Sequence, residues 1–88
     1  MTARWQVETT QQFDQDFKKL DSAVQKRVMA YLEDLEARDD PRQRGRGLTA
    51  NHSGIWRFRV GDYRILAEIV HDTLTVIALS VDHRKNAY

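Results

Sequence analysis

The chain has 88 residues, no cysteine, and a near-balanced charge of +1 from 14 Lys/Arg and 13 Asp/Glu. That length makes one domain, residues 1–88, and leaves no room for a second. No apolar run approaches membrane-spanning length and residues 1–6 lack a basic-then-apolar leader, so a soluble cytoplasmic protein without a membrane partner is expected. The small net charge hides an asymmetry. Up to Pro41 there are six basic against nine acidic residues, and from Arg42 onward eight against four, seven of the eight being arginine. Such a split fits an acidic helical half and a basic half that meets a polyanion, and it also fits an ordinary solvated surface.

In chain order, residues 5–8 (Trp5, Gln6, Val7, Glu8) predict a short first strand. Thr9 followed by Gln12 offers a capping box, and Phe13, Phe17 and Leu20 form the apolar stripe of a first helix. Ser22 and Gln25 offer a second box, and Val24, Val28, Tyr31, Leu32 and Leu35 carry a second helix to about Arg38. Asp39-Asp40-Pro41 ends it, because the residue before proline avoids the α region. Residues 42–51 have no periodicity and hold Arg42, Arg44 and Arg46, so a loop is expected. Three strands follow at about 55–60, 63–70 and 74–82, the last two joined by a polar turn at His71-Asp72-Thr73. The expected fold is α+β: a strand, two helices packed on one face, then a three-strand antiparallel meander completing a four-stranded sheet.

The most informative segment is Ile55-Trp56-Arg57-Phe58-Arg59-Val60-Gly61-Asp62-Tyr63-Arg64-Ile65. Its strict alternation is that of a half-buried strand, with one apolar and one cationic face. A two-residue turn at Gly61-Asp62, of type II′ or I′, pairs Val60 with Tyr63 and sets Arg59 opposite Arg64. Opposed like charges destabilise a strand pair, so three arginines on one face imply an anion to meet them. With an even-length second turn, Ile65, Ala67, Ile69, Val76 and Ala78 share the Trp56/Phe58 face. The other face then carries Arg57, Arg59, Arg64, Leu66, Glu68, Ile77 and Leu79, basic at one end and apolar at the other, which suits a partner segment with acidic and aliphatic residues.

The tail Val81-Asp82-His83-Arg84-Lys85-Asn86-Ala87-Tyr88 adds a histidine able to move a proton near neutral pH, an arginine able to hold a phosphoryl oxygen, and a tyrosine able to stack on a base. Singly each is more often an ordinary surface or terminal residue; with the hairpin arginines they make a set suited to RNA cleavage through the adjacent 2′-hydroxyl. Fixed cations there would stabilise the charge that grows on the phosphorane. No metal site or cofactor is expected: His52, His71 and His83 are far apart, and no phosphate-cradling glycine loop or serine elbow is present.

The segment from Gly54 to Ile65 and the tail from Val81 to Tyr88 resemble the RelE/ParE superfamily of bacterial toxin-antitoxin systems, and the order of elements agrees over essentially the whole chain. The tail is similar to the RelE branch, the ribosome-dependent mRNA endonucleases. The resemblance implies cleavage of mRNA in the ribosomal decoding site, with restraint by a cognate RelB-like antitoxin. By position it makes Arg57, Arg59 and Arg64 the basic strand residues, Arg84 the late catalytic arginine and Tyr88 the C-terminal tyrosine. The best-known form of the family has lysines where this chain has Arg57 and Arg59, and arginine is a poor proton acceptor. Proton transfer is therefore expected of His83, with Tyr88 as stacking group or second proton carrier. Arg42, Arg44, Arg46 and Lys85 are the expected contacts to ribosome and RNA. The alternative is a ParE-like inhibitor of DNA gyrase that catalyses nothing.

Overall fold

The computed structural model describes residues 5–47 and 54–86. It holds β1 (Gln6–Thr9), α1 (Gln11–Lys18), α2 (Ser22–Ala37), a 3-10 turn (Pro41–Arg44), β2 (Gly45–Gly47), β3 (Ile55–Val60), β4 (Tyr63–Val70) and β5 (Thr75–His83). The strands form one sheet in the order β1-β5-β4-β3-β2, with β1 parallel to β5 and the other pairs antiparallel. The α+β class is as expected, but the sheet has five strands rather than four. The fifth is β2, which the unpatterned stretch 42–51 had suggested was loop. Gly45, Arg46 and Gly47 have no apolar alternation to announce a strand, and their pairing with Phe58, Arg57 and Trp56 is a tertiary event.

Both helix starts sit one residue from the expected caps. Thr10 rather than Thr9 caps α1, its hydroxyl accepting from the Phe13 amide at 3.1 Å, while Thr9 donates to Asp14. Asp21 rather than Ser22 caps α2, its carboxylate accepting from the Val24 amide. A carboxylate at the N-cap also meets the positive end of the helix dipole, which favours it over the serine. Gln25 is released from the expected box and donates to the Phe17 carbonyl, tying the two helices together.

The helices cover one face of the sheet. Phe13, Val28, Tyr31, Leu32 and Leu35 meet Phe58, Val60, Ile65, Ala67, Ile69, Val76, Ala78 and Val81 in a single buried cluster closed by Trp5. The indole of Trp5 donates to the Asp39 carbonyl, which fixes the end of α2 against the start of β1. The β3–β4 turn has the expected register, with Gly61 at φ +57° and no positive φ at Asp62, the type II′ pattern.

The register of β5 departs from expectation. A bulge opposite Leu66 and Ala67 leaves Leu79 without a cross-strand partner, and every side chain beyond it changes face. Val81 turns into the core, 2% exposed, while Ser80 and Asp82 join Leu66 and Arg64 on the helix-free face. The bulge coincides with the point where β1 ends as the neighbour of β5. There α1 takes over the edge: Thr10 donates to the Leu79 carbonyl at 2.8 Å and Asp16 accepts the Val81 amide at 3.2 Å. The unpaired backbone groups of an edge strand are thereby satisfied.

Packing of β2 onto β3 rests on the missing side chain of Gly45. A Cβ there would lie 2.7 Å from Phe58, which is fully buried, whereas one on Gly47 would make ordinary contact with Trp56 at 3.4 Å. Gly45→Ala is expected to lower stability by about 1–3 kcal/mol through overpacking, while Gly47→Ala is neutral or slightly stabilising. Thermal melts of the two variants check this, and equal midpoints would show that β2 does not press on the core.

Candidate nucleic-acid interface

Alternation along β3 and the turn at Gly61 bring Arg46, Arg57, Arg59 and Arg64 to the helix-free face. Arg57 stands between Arg46 on β2 and Leu66 on β4, and Arg59 is directly opposite Arg64. With Arg44 and Gly45 these four line a cavity of about 370 Å³ that is open to solvent. Arg46 and Arg59 have no acid within ion-pair distance among the described residues. Arg64 relieves part of its repulsion with Arg59 by folding back over the turn, where Nη1 donates to the Gly61 and Tyr63 carbonyls at 3.0 and 2.9 Å. Its other strand neighbour is Asp82. The sequence pattern missed this acid on the cationic face, because only the bulge puts it there. Arg64 also borders a second cavity of about 290 Å³ with Gln12, Asp16, Ser80, Asp82 and Asn86. A cationic hollow thus adjoins one lined by carboxylates and amides, a layout able to hold a phosphate beside a group rich in hydrogen-bond donors.

The tail only partly joins this set. His83 pairs with Tyr63 and Tyr63 with Val60, so by alternation His83 belongs to the helix-bearing side, at the end of the sheet. Its ring packs edge-on against Tyr63, with centroids 5.3 Å apart, and Nδ1 accepts the Lys85 amide. His83 and the arginine cavity are therefore on opposite sides of the sheet, contrary to the convergence expected from sequence. Arg84 is drawn to the hairpin tip: its amide donates to the Asp62 carbonyl at 2.7 Å and its Nε lies 3.8 Å from the Asp62 carboxylate. Lys85 is exposed beside it, and Tyr88 lies outside the described residues.

A family model for the ParE toxin of type II toxin-antitoxin system, parDE, matches residues 7–88. A chain of the RelBE2 toxin-antitoxin complex from Mycobacterium tuberculosis superposes with a TM-score of 0.82 at 30% identity, covering 98% of this chain and 97% of that one. This chain belongs to the RelE/ParE superfamily of type II toxins. Chains of RelB-RelE complexes from Pyrococcus horikoshii (TM-score 0.74, 22% identity, 99% and 100% covered) and Methanococcus jannaschii (0.72, 26%, 92% and 94%) share its fold. A search of curated proteins finds no match.

In this toxin two of the arginines expected to contact RNA are held by acids instead. Arg42 grips Asp40 through Nε and Nη2, the latter at 2.8 Å, and Arg44 donates to Asp34 at 2.8 Å while its guanidinium covers the Tyr31 ring 4.5 Å from the centroid. Asp34 also takes Arg38 at 2.6 Å, and the Tyr31 hydroxyl donates to the Arg44 carbonyl. Burial raises the Tyr31 phenol above its ordinary value, which keeps it a donor. The hydrogen bond from Arg38 holds the Asp34 carboxyl below the usual range, and that from Arg42 does the same for Asp40. Both carboxylates are depressed on folding, so their contribution is complete above the ordinary value near 4 and disappears as the pH falls through the lower folded values. Amide protection across residues 41–47 is therefore expected to weaken as the pH drops below about 4 while the β3–β4 hairpin keeps its own. Asp34→Asn should remove part of that pH dependence. Hydrogen exchange read by NMR checks this, and uniform loss in both segments would contradict a local clamp.

Proposed function

We propose that this toxin is a metal-independent endoribonuclease that cuts mRNA on the ribosome and so inhibits translation. The observation that carries the reading is the cavity in which Arg46, Arg57, Arg59 and Arg64 face one another, Arg46 and Arg59 having no acid within ion-pair distance among the described residues. When a 2′-hydroxyl attacks the neighbouring phosphorus, negative charge builds on the phosphorane oxygens. Guanidiniums already fixed at that point favour the transition state over the ground state. Arg57 and Arg59 would hold the non-bridging oxygens, and Arg64, anchored on the turn carbonyls, would set the third contact. Arg84, at the hairpin tip, supplies a further cation from the tail. His83 and Tyr88 are the proposed proton carriers; for His83 this requires the message to pass over the end of the sheet, where Tyr63 orients its ring. Arg46 and Lys85 are the proposed ribosome contacts, with Arg42 and Arg44 joining them at the cost of their acid partners.

The solved chains it resembles come from RelBE complexes, which supports a RelB-like antitoxin as partner. The helix-free face, with Leu66 opposite Arg57 and Ile77 farther along beside Glu68, suits a segment that carries both acidic and aliphatic residues.

The second reading is inhibition of DNA gyrase without catalysis. It is kept because the matching family model is named for ParE and the arginine cavity is lined by arginines and a glycine, with no histidine or carboxylate. Purified toxin added to ribosomes and message separates the two. Cleavage that requires ribosomes and leaves 5′-hydroxyl ends is expected, and Arg57→Ala and Arg59→Ala should each slow it by about 10²–10³, with Arg59→Ala melting no lower than the parent. Arg64→Ala should slow it as much and also lose about 1 kcal/mol with its turn hydrogen bonds. Intact message, with arrest of DNA synthesis in cells, would replace the nuclease by the gyrase inhibitor.

A further inference from the structure

β2 accompanies β3 only from Trp56 to Phe58, so the outer edge at Arg59 and Val60 has no strand neighbour among the described residues. At that gap the arginine cavity meets a second groove, of about 440 Å³, bounded by Arg27 and Tyr31 of α2 together with Arg44, Arg59 and Gly61. Arg44 and Arg59 line both hollows. Arg27 is exposed on α2, and its guanidinium lies against the hairpin turn: a Cβ on Gly61 would come within 2.5 Å of Nη2. Gly61 thus serves the turn twice, by its positive φ and by leaving room for this side chain. Arg27, like Arg59, has no acid within ion-pair distance among the described residues. Asp34, the acid that borders the groove, is already shared by Arg38 and Arg44.

Unneutralised guanidiniums on both sides of an open strand edge therefore form one cationic path, from the helix-free face, around the edge at Arg59, to α2. We propose that this path binds the phosphodiester backbone of single-stranded RNA as it leaves the arginine cavity, with Arg27 as a phosphate contact at its far end. The proposal rests on the RNA reading of that cavity. Guanidinium forks suit phosphate oxygens, and continuity with a site for one phosphate favours further phosphates of the same strand over an acidic protein segment.

Fluorescence anisotropy with an RNA trinucleotide and an RNA decanucleotide, over a range of salt, tests it. Each phosphate contact on a single strand adds about 0.7 to the slope of log K against log salt. Arg27→Ala is expected to lower the decanucleotide slope by about 0.7 and leave trinucleotide binding unchanged, and Arg27→Lys should restore the slope. Arg57→Ala should weaken both RNAs. An unchanged decanucleotide slope in Arg27→Ala, with Arg57→Ala still weakening both, would overturn the path and leave the cavity reading intact. Failure of the parent chain to bind either RNA would overturn both. Displacement of the decanucleotide by a poly-glutamate peptide with the same dependence on Arg27 would assign the path to an acidic protein and overturn it as an RNA site.

Discussion

The register between β3 and β4 is locked by a two-residue turn in which Gly61 holds φ +57°, and the rest of the helix-free face follows from it. Side chains alternate with period two, so a slip of one residue would expose Phe58 and Ile65, both fully buried, and push arginines into the core. The hydrophobic requirement on one face therefore fixes the electrostatic arrangement on the other. Arg59 must oppose Arg64, and Arg57 must stand beside them. The turn also supplies the means to tolerate this, since its carbonyls at Gly61 and Tyr63 receive the Arg64 guanidinium. The charge of Arg59, which has no acid within ion-pair distance among the described residues, is the part left uncompensated.

The second constraint is the finite length of the flanking strands. β1 serves β5 as far as Ala78 and β2 serves β3 as far as Phe58, and each gap left behind has a consequence for the site. On the β5 side the gap is filled by α1, and the accompanying bulge sends Val81 inward and Asp82 outward, where it meets Arg64. On the β3 side the gap stays open and lets the cationic surface continue around the sheet edge toward α2. The clamp of Asp34 and Asp40 on Arg38, Arg42 and Arg44 holds the connection between α2 and β2 in place, and with it the wall that Arg44 and Arg46 give to the arginine cavity.

Much of this was legible in the sequence. The hairpin was readable to the residue because alternation and a glycine turn are local signals, and the order of elements with the Gly54 to Ile65 segment pointed to the superfamily that the family model and the mycobacterial structure support. The β5 bulge was not readable, because Ile77, Ala78, Leu79, Ser80 and Val81 fit either phase and the choice is made by α1 at the strand edge. β2 was not readable because its three residues are two glycines and an arginine, with stability borrowed from Phe58. Arg42 and Arg44 looked free as a basic run, yet Asp34 and Asp40 hold them; Asp40 lies two residues from Arg42, and that spacing carried the missed signal. The distance between His83 and the arginines was hidden by the parity of the β4–β5 pairing.

Arg59 and Arg64 are held against one another at a cost that the turn carbonyls lessen without cancelling. A double-mutant cycle on stability, comparing the parent, Arg59→Ala, Arg64→Ala and the double variant at low salt, measures that cost directly. A repulsive coupling of about 0.2–1 kcal/mol is expected, vanishing when single-stranded RNA is bound or when salt is raised. An attractive coupling, or none at low salt, would contradict it and reduce the arginine face to an ordinary solvated surface.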